Sequence, residues 1–381
     1  MQSYRYLMPT EILLQPHALD SLSDHCASLG ARPMLVTGRH SARACGFIDR
    51  VRAQLPGAVV FDAIPENPGV DVCDEGGALC RKRGCDYLIG LGGGSPIDAA
   101  KAIAVLAQNG GSAARYFGHE QFSNGALPIV AIPTTAGTGS EVTPYAVLVD
   151  PKARAKRTIT GRALFPRLAL LDPELSRTMP AEVTASTGLD ALSQAMEGML
   201  SKKATLFGDA LALECCRLVK HHLGTAVREP ANIDARAGML HAAMLSGCVI
   251  AQSGTTLVHG MGYYFTLEFG IPHGLANGLL LAPIFRVNAT HEAAKVATLA
   301  QSLGFPCEAS GAAEAITRAI HRLFAEAGLS PAARDHGALL DRLRWCAEDI
   351  HQDSYRFKNQ VGEFSAGDLH ALFVEAYEGR A

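Results

Sequence analysis

The chain has 381 residues, 48% apolar and 19% charged, and its 34 basic and 37 acidic side chains leave a formal charge of −3. At roughly 150 residues per domain this length predicts two or three domains with a sizeable core, and the apolar content excludes a disordered chain. The near-neutral balance lacks the clustered basic surface that binds nucleic acid, so no nucleic-acid partner is expected. Glycine stands out at 38 residues, while aromatics make up only 6%. Such a composition suits an α/β enzyme better than a β-sandwich or a fibre. The cysteines Cys26, Cys45, Cys73, Cys80, Cys85, Cys215, Cys216, Cys248, Cys307 and Cys346 form no CxxC pair. They read as reduced, mostly buried thiols of a cytoplasmic protein rather than a zinc ribbon or disulfide scaffold. Residues 1–10 lack a basic region followed by an apolar core, so no secretory signal is expected. The longest apolar stretch, 275–285, is broken by Asn277 and Pro283 and falls short of the ~18 residues of a membrane span.

Along the first 170 residues, short apolar runs at 33–36, 58–61, 87–91, 128–133 and 168–171 alternate with helical patterns. The clearest helix is 97–108, where Ile97, Lys101 and Val105 recur every four residues. This alternation predicts a parallel sheet covered on both faces. From about Pro180 the pattern turns helical, at 187–201, 206–223, 234–253 and 274–288, with three or four further helices to the C-terminus. The expected division is an α/β domain over 1–178 and an all-helical domain over 179–381, with no repeat or long linker.

Two loops follow apolar strands. Gly92-Gly93-Gly94-Ser95-Pro96-Ile97-Asp98 leads from the run at 87–91 into an alanine-rich helix. Glycines let the backbone approach a pyrophosphate, a helix N-terminus offers free N–H groups, and Pro96 suits the first turn. In a chain this rich in glycine a triplet is expected by chance about 0.4 times, so its placement carries the signal. It does not match G-x-G-x-x-G, and a tight strand-to-helix turn without a ligand would look the same. The second loop, 133–141, carries Thr134, Thr135, Thr138 and Ser140 with Gly137 and Gly139. It can wrap a polar ligand such as a ribose or a nicotinamide amide, or serve as an ordinary loop with Ser140 as a helix cap.

GGGSPID with A-x-K-A at 92–103 and IPTTAGTGSEVT at 132–143 resemble the iron-containing (group III) alcohol dehydrogenase family. Asn67-Pro68, Gly188-Leu189-Asp190-Ala191-Leu192, LVHGMG at 257–262 and PHGLANGLLL at 272–281 extend the resemblance, in order, over most of the chain. It implies a Rossmann-like dinucleotide-binding domain, a helical metal-binding domain and an active site in the cleft between them. Gly92, Gly93, Gly94, Ser95, Asn67 and Asp98 would then seat the cofactor. Thr134, Thr135 and Thr138 would position its adenosine and nicotinamide sides, and Lys156 would help hold it. A homodimer or larger homo-oligomer is also implied.

Asp190, Gln194 and Glu197, at i, i+4 and i+7, fall on one helical face opposite Leu192, Ala195, Met196 and Met199. A polar stripe on so apolar a helix needs partners if it is buried. The resemblance places Asp190, His259 and His273 at metal-ligand positions, and one carboxylate with two imidazoles suits a divalent transition metal with an open position. Where iron-containing members carry a fourth ligand, histidine, this chain has Gln194. The alternatives are a three-ligand site for Fe²⁺ or Zn²⁺, with Gln194 near or weakly on the metal, or a site of low affinity. A second departure is Tyr263, which replaces a pocket histidine four residues after His259. Its phenol could relay a proton or simply wall the pocket, and Tyr264 and Phe265 suggest that the pocket is narrow.

After the run at 33–36, relatives that use NAD place an aspartate for the ribose hydroxyls, whereas this chain has Gly38, Arg39 and His40. The missing repulsion and the added cation predict NADP or dual use, although Arg39 could equally be an exposed turn residue. The expected activity is hydride transfer between NAD(P) and a small primary alcohol or aldehyde at the metal, with His259, His273 and Tyr263 as catalytic candidates. Metal-independent reduction of the maleylacetate reductase type, or cofactor binding at a decayed metal site, are the alternatives. A dehydroquinate-synthase-like lyase would need a clustered basic site, and Lys202, Lys203, Lys220 and Arg228 form no matching motif.

Overall fold

A computed structural model of the chain describes residues 3–153, 155–305, 309–353 and 357–380, in two compact units. Residues 7–179 form one, and residues 3–6 join 180–380 in the other. Nine cysteines in the described residues are free thiols, all buried but Cys45; Cys307 lies outside the described residues.

Among its described residues the first unit contains nine strands. They are β1 (Glu11–Leu14), β2 (Pro33–Gly38), β3 (Val59–Ile64), β4 (Tyr87–Gly92), β5 (Gly118–His119), β6 (Ile129–Pro133), β7 (Tyr145–Asp150), β8 (Ala155–Thr160) and β9 (Leu168–Leu171). Its helices are α1 (Leu22–Cys26), α2 (Ser41–Ala44), α3 (Phe47–Gln54), α4 (Val70–Arg83) and α5 (Gly94–Asn109). Six strands form one all-parallel sheet in the order β1-β9-β6-β4-β2-β3. Side chains alternate across it. Leu35, Ile89, Leu91, Val130 and Ile132 pack on one face with Leu22, Phe47 and Val51. Met34, Val36, Leu88 and Ile129 pack on the other with Cys73, Ile103 and Leu106. Burial on both faces is what made these strands legible as continuous apolar runs.

Four strands fell outside the five expected ones. β1 is an exposed edge strand, and β7 and β8 form an antiparallel pair in a separate sheet completed by β5. β8 reads AKRTIT, whose polar residues follow from having only one face to bury. In the main sheet, β2 is followed in the chain by β3 on one side and, through α4, by β4 on the other. Strand order therefore reverses between β2 and β4, and ligands of open α/β sheets bind outside the carboxyl ends of strands at such a reversal.

The second unit is helical, with no strand among its described residues. It comprises α6 (Ala181–Met199), α7 (Leu206–Arg228), α8 (Ile233–Ser253), α9 (Leu257–Phe269), α10 (His273–His291), α11 (Ala293–Ser302), α12 (Ala309–Glu326), α13 (Leu340–Gln352) and α14 (Ala366–Glu378). The four helical segments read from sequence fall on α6, α7, α8 and α10. α6 packs against α7, α8 and α10, with Gly188 against Leu223 and Gly198 against Val249. Among the described residues no helix is long and apolar enough to cross a membrane.

Candidate functional site

In the first unit the glycine loop closes on the second loop. Gly92 ends β4 at φ +143°, and a Cβ there would lie 2.8 Å from Pro96 Cγ. A Cβ on Gly93 would meet Thr135 Oγ1 at 3.3 Å, and one on Gly94 would meet Thr138 Cγ2 at 2.9 Å. The Thr134 N–H donates to Gly92 O at 2.9 Å. Contact between the loops therefore demands small residues here independently of any ligand. α5 starts at Gly94, with the free N–H groups of its first turn at the carboxyl end of β4. Asn67, at φ +52°, donates its N–H to Ser95 Oγ at 3.2 Å. Gly38 ends β2, and its nearest would-be Cβ neighbours are Ile64 O at 3.7 Å and Pro96 Cγ at 3.9 Å. Gly38, Asn67, Gly92 to Ser95 and Thr134, Thr135 and Thr138 are thus gathered around the strand-order reversal. Arg39 is exposed there and donates from Nε to Ala63 O at 3.0 Å.

Asp98 and Lys156 have other surroundings. The Asp98 carboxylate accepts from Ser140 Oγ and from the Val147 N–H at 3.0 Å. Lys156 pairs with Val149 in the β7–β8 ladder, where its charge favours the Asp98 anion. Lys101, one turn after Asp98, is fully buried with Nζ among Ser140 O (2.6 Å), Tyr145 O (2.8 Å), Ser140 Oγ (3.0 Å) and Thr143 Oγ1 (3.3 Å). Burial pulls its ammonium down to about 8 against the charges of Asp98 and Glu141. Burial likewise pushes the Glu141 carboxyl up to about 7. This buried cluster ties the second loop to α5.

In the helical unit, Asp190 lies in mid-α6, His259 in the first turn of α9, and His273 opens α10. One ligand atom from each lies within 4.8 Å of the others, with Asp190 and His259 buried and His273 half-buried. Close helix packing brings them together. A Cβ on Gly274 would fall 2.1 Å from Ser186 O, and one on Gly262 would fall 2.1 Å from Asn277 Oδ1. The Leu275 N–H donates to Ser186 Oγ at 3.0 Å, fastening the start of α10 to α6. Asn277, fully buried one turn after His273, donates from Nδ2 to Asp190 Oδ1 at 2.8 Å.

Charge in this cluster is concentrated. Burial raises the Asp190 carboxyl, but His259, the charge of His273 and the Asn277 amide outweigh it and hold the group down to about 2. Burial lowers the His259 imidazole, yet the Glu197 and Asp190 carboxylates outweigh it and raise the ring to about 10. Two buried carboxylates thus draw positive charge to this point. His259 Nε2 is buried, 3.4 Å from Asp190 Oδ1, and makes no hydrogen bond among the described residues. An unsatisfied imidazole nitrogen, a second imidazole and a carboxylate form a donor set that fits a divalent transition metal.

The polar stripe of α6 finds its partners here. His259 Nδ1 faces Glu197 Oε2 in a close hydrogen bond. Gln194 Oε1 accepts from Ser246 Oγ at 2.8 Å, and Gln194 Nε2 lies 3.5 Å from Asp190 Oδ2. Tyr263 stacks on His273 with centroids 5.4 Å apart and planes at 12°. The other two aromatics expected to narrow the pocket turn away. The Tyr264 hydroxyl donates to Asp349 Oδ2 at 2.5 Å, and Phe265 packs on Phe269 and Phe373. Successive helical side chains diverge, so three in a row cannot line one wall. Lys101, Ser246 and Asn277 had no assigned role in the sequence reading. The spacing of Asn277, i+4 from His273, was the available signal for it.

Models of two domains match the chain: "Iron-containing alcohol dehydrogenase" over residues 9–173 and "Fe-containing alcohol dehydrogenase family, C-terminal" over residues 184–377. The 1,3-propanediol dehydrogenase of Citrobacter freundii is 34% identical over 94% of this chain and 95% of its own length. A crystal structure of 1,3-propanediol oxidoreductase superposes with a TM-score of 0.93 at 32% identity, covering 98% of this chain and all of that one. The sulfoacetaldehyde reductase of Bifidobacterium kashiwanohense, solved in complex with NAD+, gives a TM-score of 0.90 at 31% identity over 99% of both chains. The chain belongs to the iron-containing alcohol dehydrogenase family of alcohol and aldehyde oxidoreductases.

Proposed function

We propose that this protein interconverts a small primary alcohol and its aldehyde by hydride transfer with NAD(P), using a divalent metal held by Asp190, His259 and His273. The observation that carries the reading is the convergence of these three side chains, Asp190 and His259 buried and His273 half-buried, with the His259 Nε2 unsatisfied. When bound, the metal supplies Lewis-acid polarisation of the substrate oxygen, and the nicotinamide supplies or accepts the hydride. Asp190 is held ionised by its neighbours, and Asn277 fixes the direction of its carboxylate. Tyr263 covers one face of His273 and presents a phenol that can hydrogen-bond a substrate hydroxyl. The N-terminus of α5, framed by Gly92 to Ser95, offers N–H groups and a positive dipole to the cofactor's pyrophosphate. A set of two imidazoles and one carboxylate suits Zn²⁺ as a three-ligand site and suits Fe²⁺ equally.

Gly38 and the exposed Arg39 favour NADPH or use of both cofactors, because no carboxylate stands where a 2′-phosphate would be repelled. Names of the similar proteins, 1,3-propanediol dehydrogenase and sulfoacetaldehyde reductase, point to short polar aldehydes as substrates. The free thiols fit a reducing compartment, the cytoplasm, and the family resemblance favours a homodimer or larger assembly. Elemental analysis of the purified protein, with NADH and NADPH assays on short aldehydes, tests the reading. His259→Ala should lose the metal and about a thousand-fold or more in kcat. Full activity of that variant, or of wild type after exhaustive chelation, would instead establish metal-independent reduction.

A further inference from the structure

We propose that Glu197 is a positioning residue that fixes His259 as its Nδ1–H tautomer and so aims the Nε2 lone pair at the metal. This rests on the metal reading above but concerns a residue outside the ligand set. Glu197 lies two turns along α6 from Asp190 and is 1% exposed, so water does not compete for its oxygens. Its Oε1 accepts from Thr256 Oγ1 at 2.8 Å, from the Thr256 N–H at 2.9 Å and from the His259 N–H at 3.2 Å. Thr256 is the N-cap residue of α9, so the carboxylate also satisfies free N–H groups at that helix start. With Oε1 saturated by donors, the carboxylate plane is fixed and Oε2 is aimed at His259 Nδ1. A carboxylate oxygen can only accept, so Nδ1 must carry the proton, and the ring's other nitrogen is left on the Asp190 side, 3.4 Å from Oδ1. Carboxylates behind ligand histidines set tautomer, orientation and basicity in this way.

Glu197→Gln tests the idea because it preserves shape and reverses polarity. The amide oxygen can still accept from Thr256 and the His259 N–H, but the amide NH₂ then faces Nδ1 and donates to it. The imidazole proton is forced to Nε2, where the metal should bind. Zinc affinity, measured by competition with a chromophoric chelator, should fall about 10- to 100-fold while NAD(P)H binding is unchanged. Nitrogen-15 NMR of histidine-labelled, zinc-loaded wild type should show a protonated Nδ1 on His259. The metal-free variant at neutral pH should show the proton on Nε2. The wild-type spectrum alone tests the tautomer should the variant fail to fold. A zinc-loaded wild type metallated through Nδ1, or a folded variant with wild-type zinc affinity, would overturn the inference. A wild type that takes up no divalent metal would overturn the metal reading itself.

Discussion

Ser246 and Gln194 meet across α8 and α6, with the serine Oγ 2.8 Å from the amide Oε1. That contact turns the amide nitrogen, not its oxygen, toward Asp190. In this orientation Gln194 presents a donor to Asp190 rather than an oxygen to the proposed metal, which leaves Asp190, His259 and His273 as the proposed ligands. Gln194→His should supply a fourth and raise ferrous-ion affinity about tenfold or more, since each tenfold step needs only ~1.4 kcal/mol. Chelator competition with Fe²⁺ under anaerobic conditions measures it. Equal affinity in the two proteins would show that the wild-type glutamine already reaches the metal through its oxygen.

Gly38 ends β2 beside the glycine loop with space for a side chain, because a Cβ would come no closer than 3.7 Å to any neighbour. Gly38→Asp is therefore sterically inexpensive. It should place a carboxylate where it accepts ribose hydroxyls and repels a 2′-phosphate. The ratio of kcat/KM for NADH to that for NADPH should rise about tenfold or more. An unchanged ratio would remove Gly38 from cofactor selection.

Lys101 holds the second loop to α5 through oxygens of Ser140, Thr143 and Tyr145. Lys101→Met retains the apolar stem but strands those acceptors and leaves the half-buried Asp98 without its 3.8 Å counter-charge. Leaving a buried hydrogen-bond acceptor unpaired costs about 1–3 kcal/mol, so the denaturant midpoint should drop clearly. The loosened loops should raise the Kd for NAD(P)H in a fluorescence titration. Metal content should stay at the wild-type level, since Asp190, His259 and His273 all belong to the helical unit. An unchanged Kd would mean that the latch stabilises the fold without shaping the cofactor site.

Much of this arrangement was legible in the sequence because burial writes itself into composition. β2, β4, β6 and β9 are buried on nearly all positions and read as continuous apolar runs, and the α6 stripe of Asp190, Gln194 and Glu197 betrays itself by polar residues on an apolar helix. β1 and β8 were illegible for the opposite reason, since partly exposed strands carry residues that loops carry too. Pairings across the chain were equally hidden. Nothing local marks Ser246 as the partner of Gln194, fifty-two residues away, or Lys101 as the clasp on Ser140. The glycines show the limit differently: Gly93 and Gly94 read as room for a pyrophosphate, yet they also make room for Thr135 and Thr138.

Glu141 gives the protein a pH dependence of its own. Its carboxyl is buried with Oε1 unpartnered among the described residues, and burial outweighs the nearby Lys101 ammonium to lift it from 4.5 to about 7. The folded protein therefore binds this proton more tightly than the unfolded chain. Stability from this group is fully present below about pH 4.5 and is lost as pH rises through 7. Glu141→Gln keeps the shape and cannot ionise, so it escapes that loss. Unfolding free energies of the two proteins should diverge between pH 5 and 8 in favour of the variant, by up to about 3 kcal/mol. Urea denaturation at half-unit pH intervals measures the difference. Parallel curves would mean that Glu141 stays ionised in the fold, with the Lys101 ammonium rather than burial governing its charge.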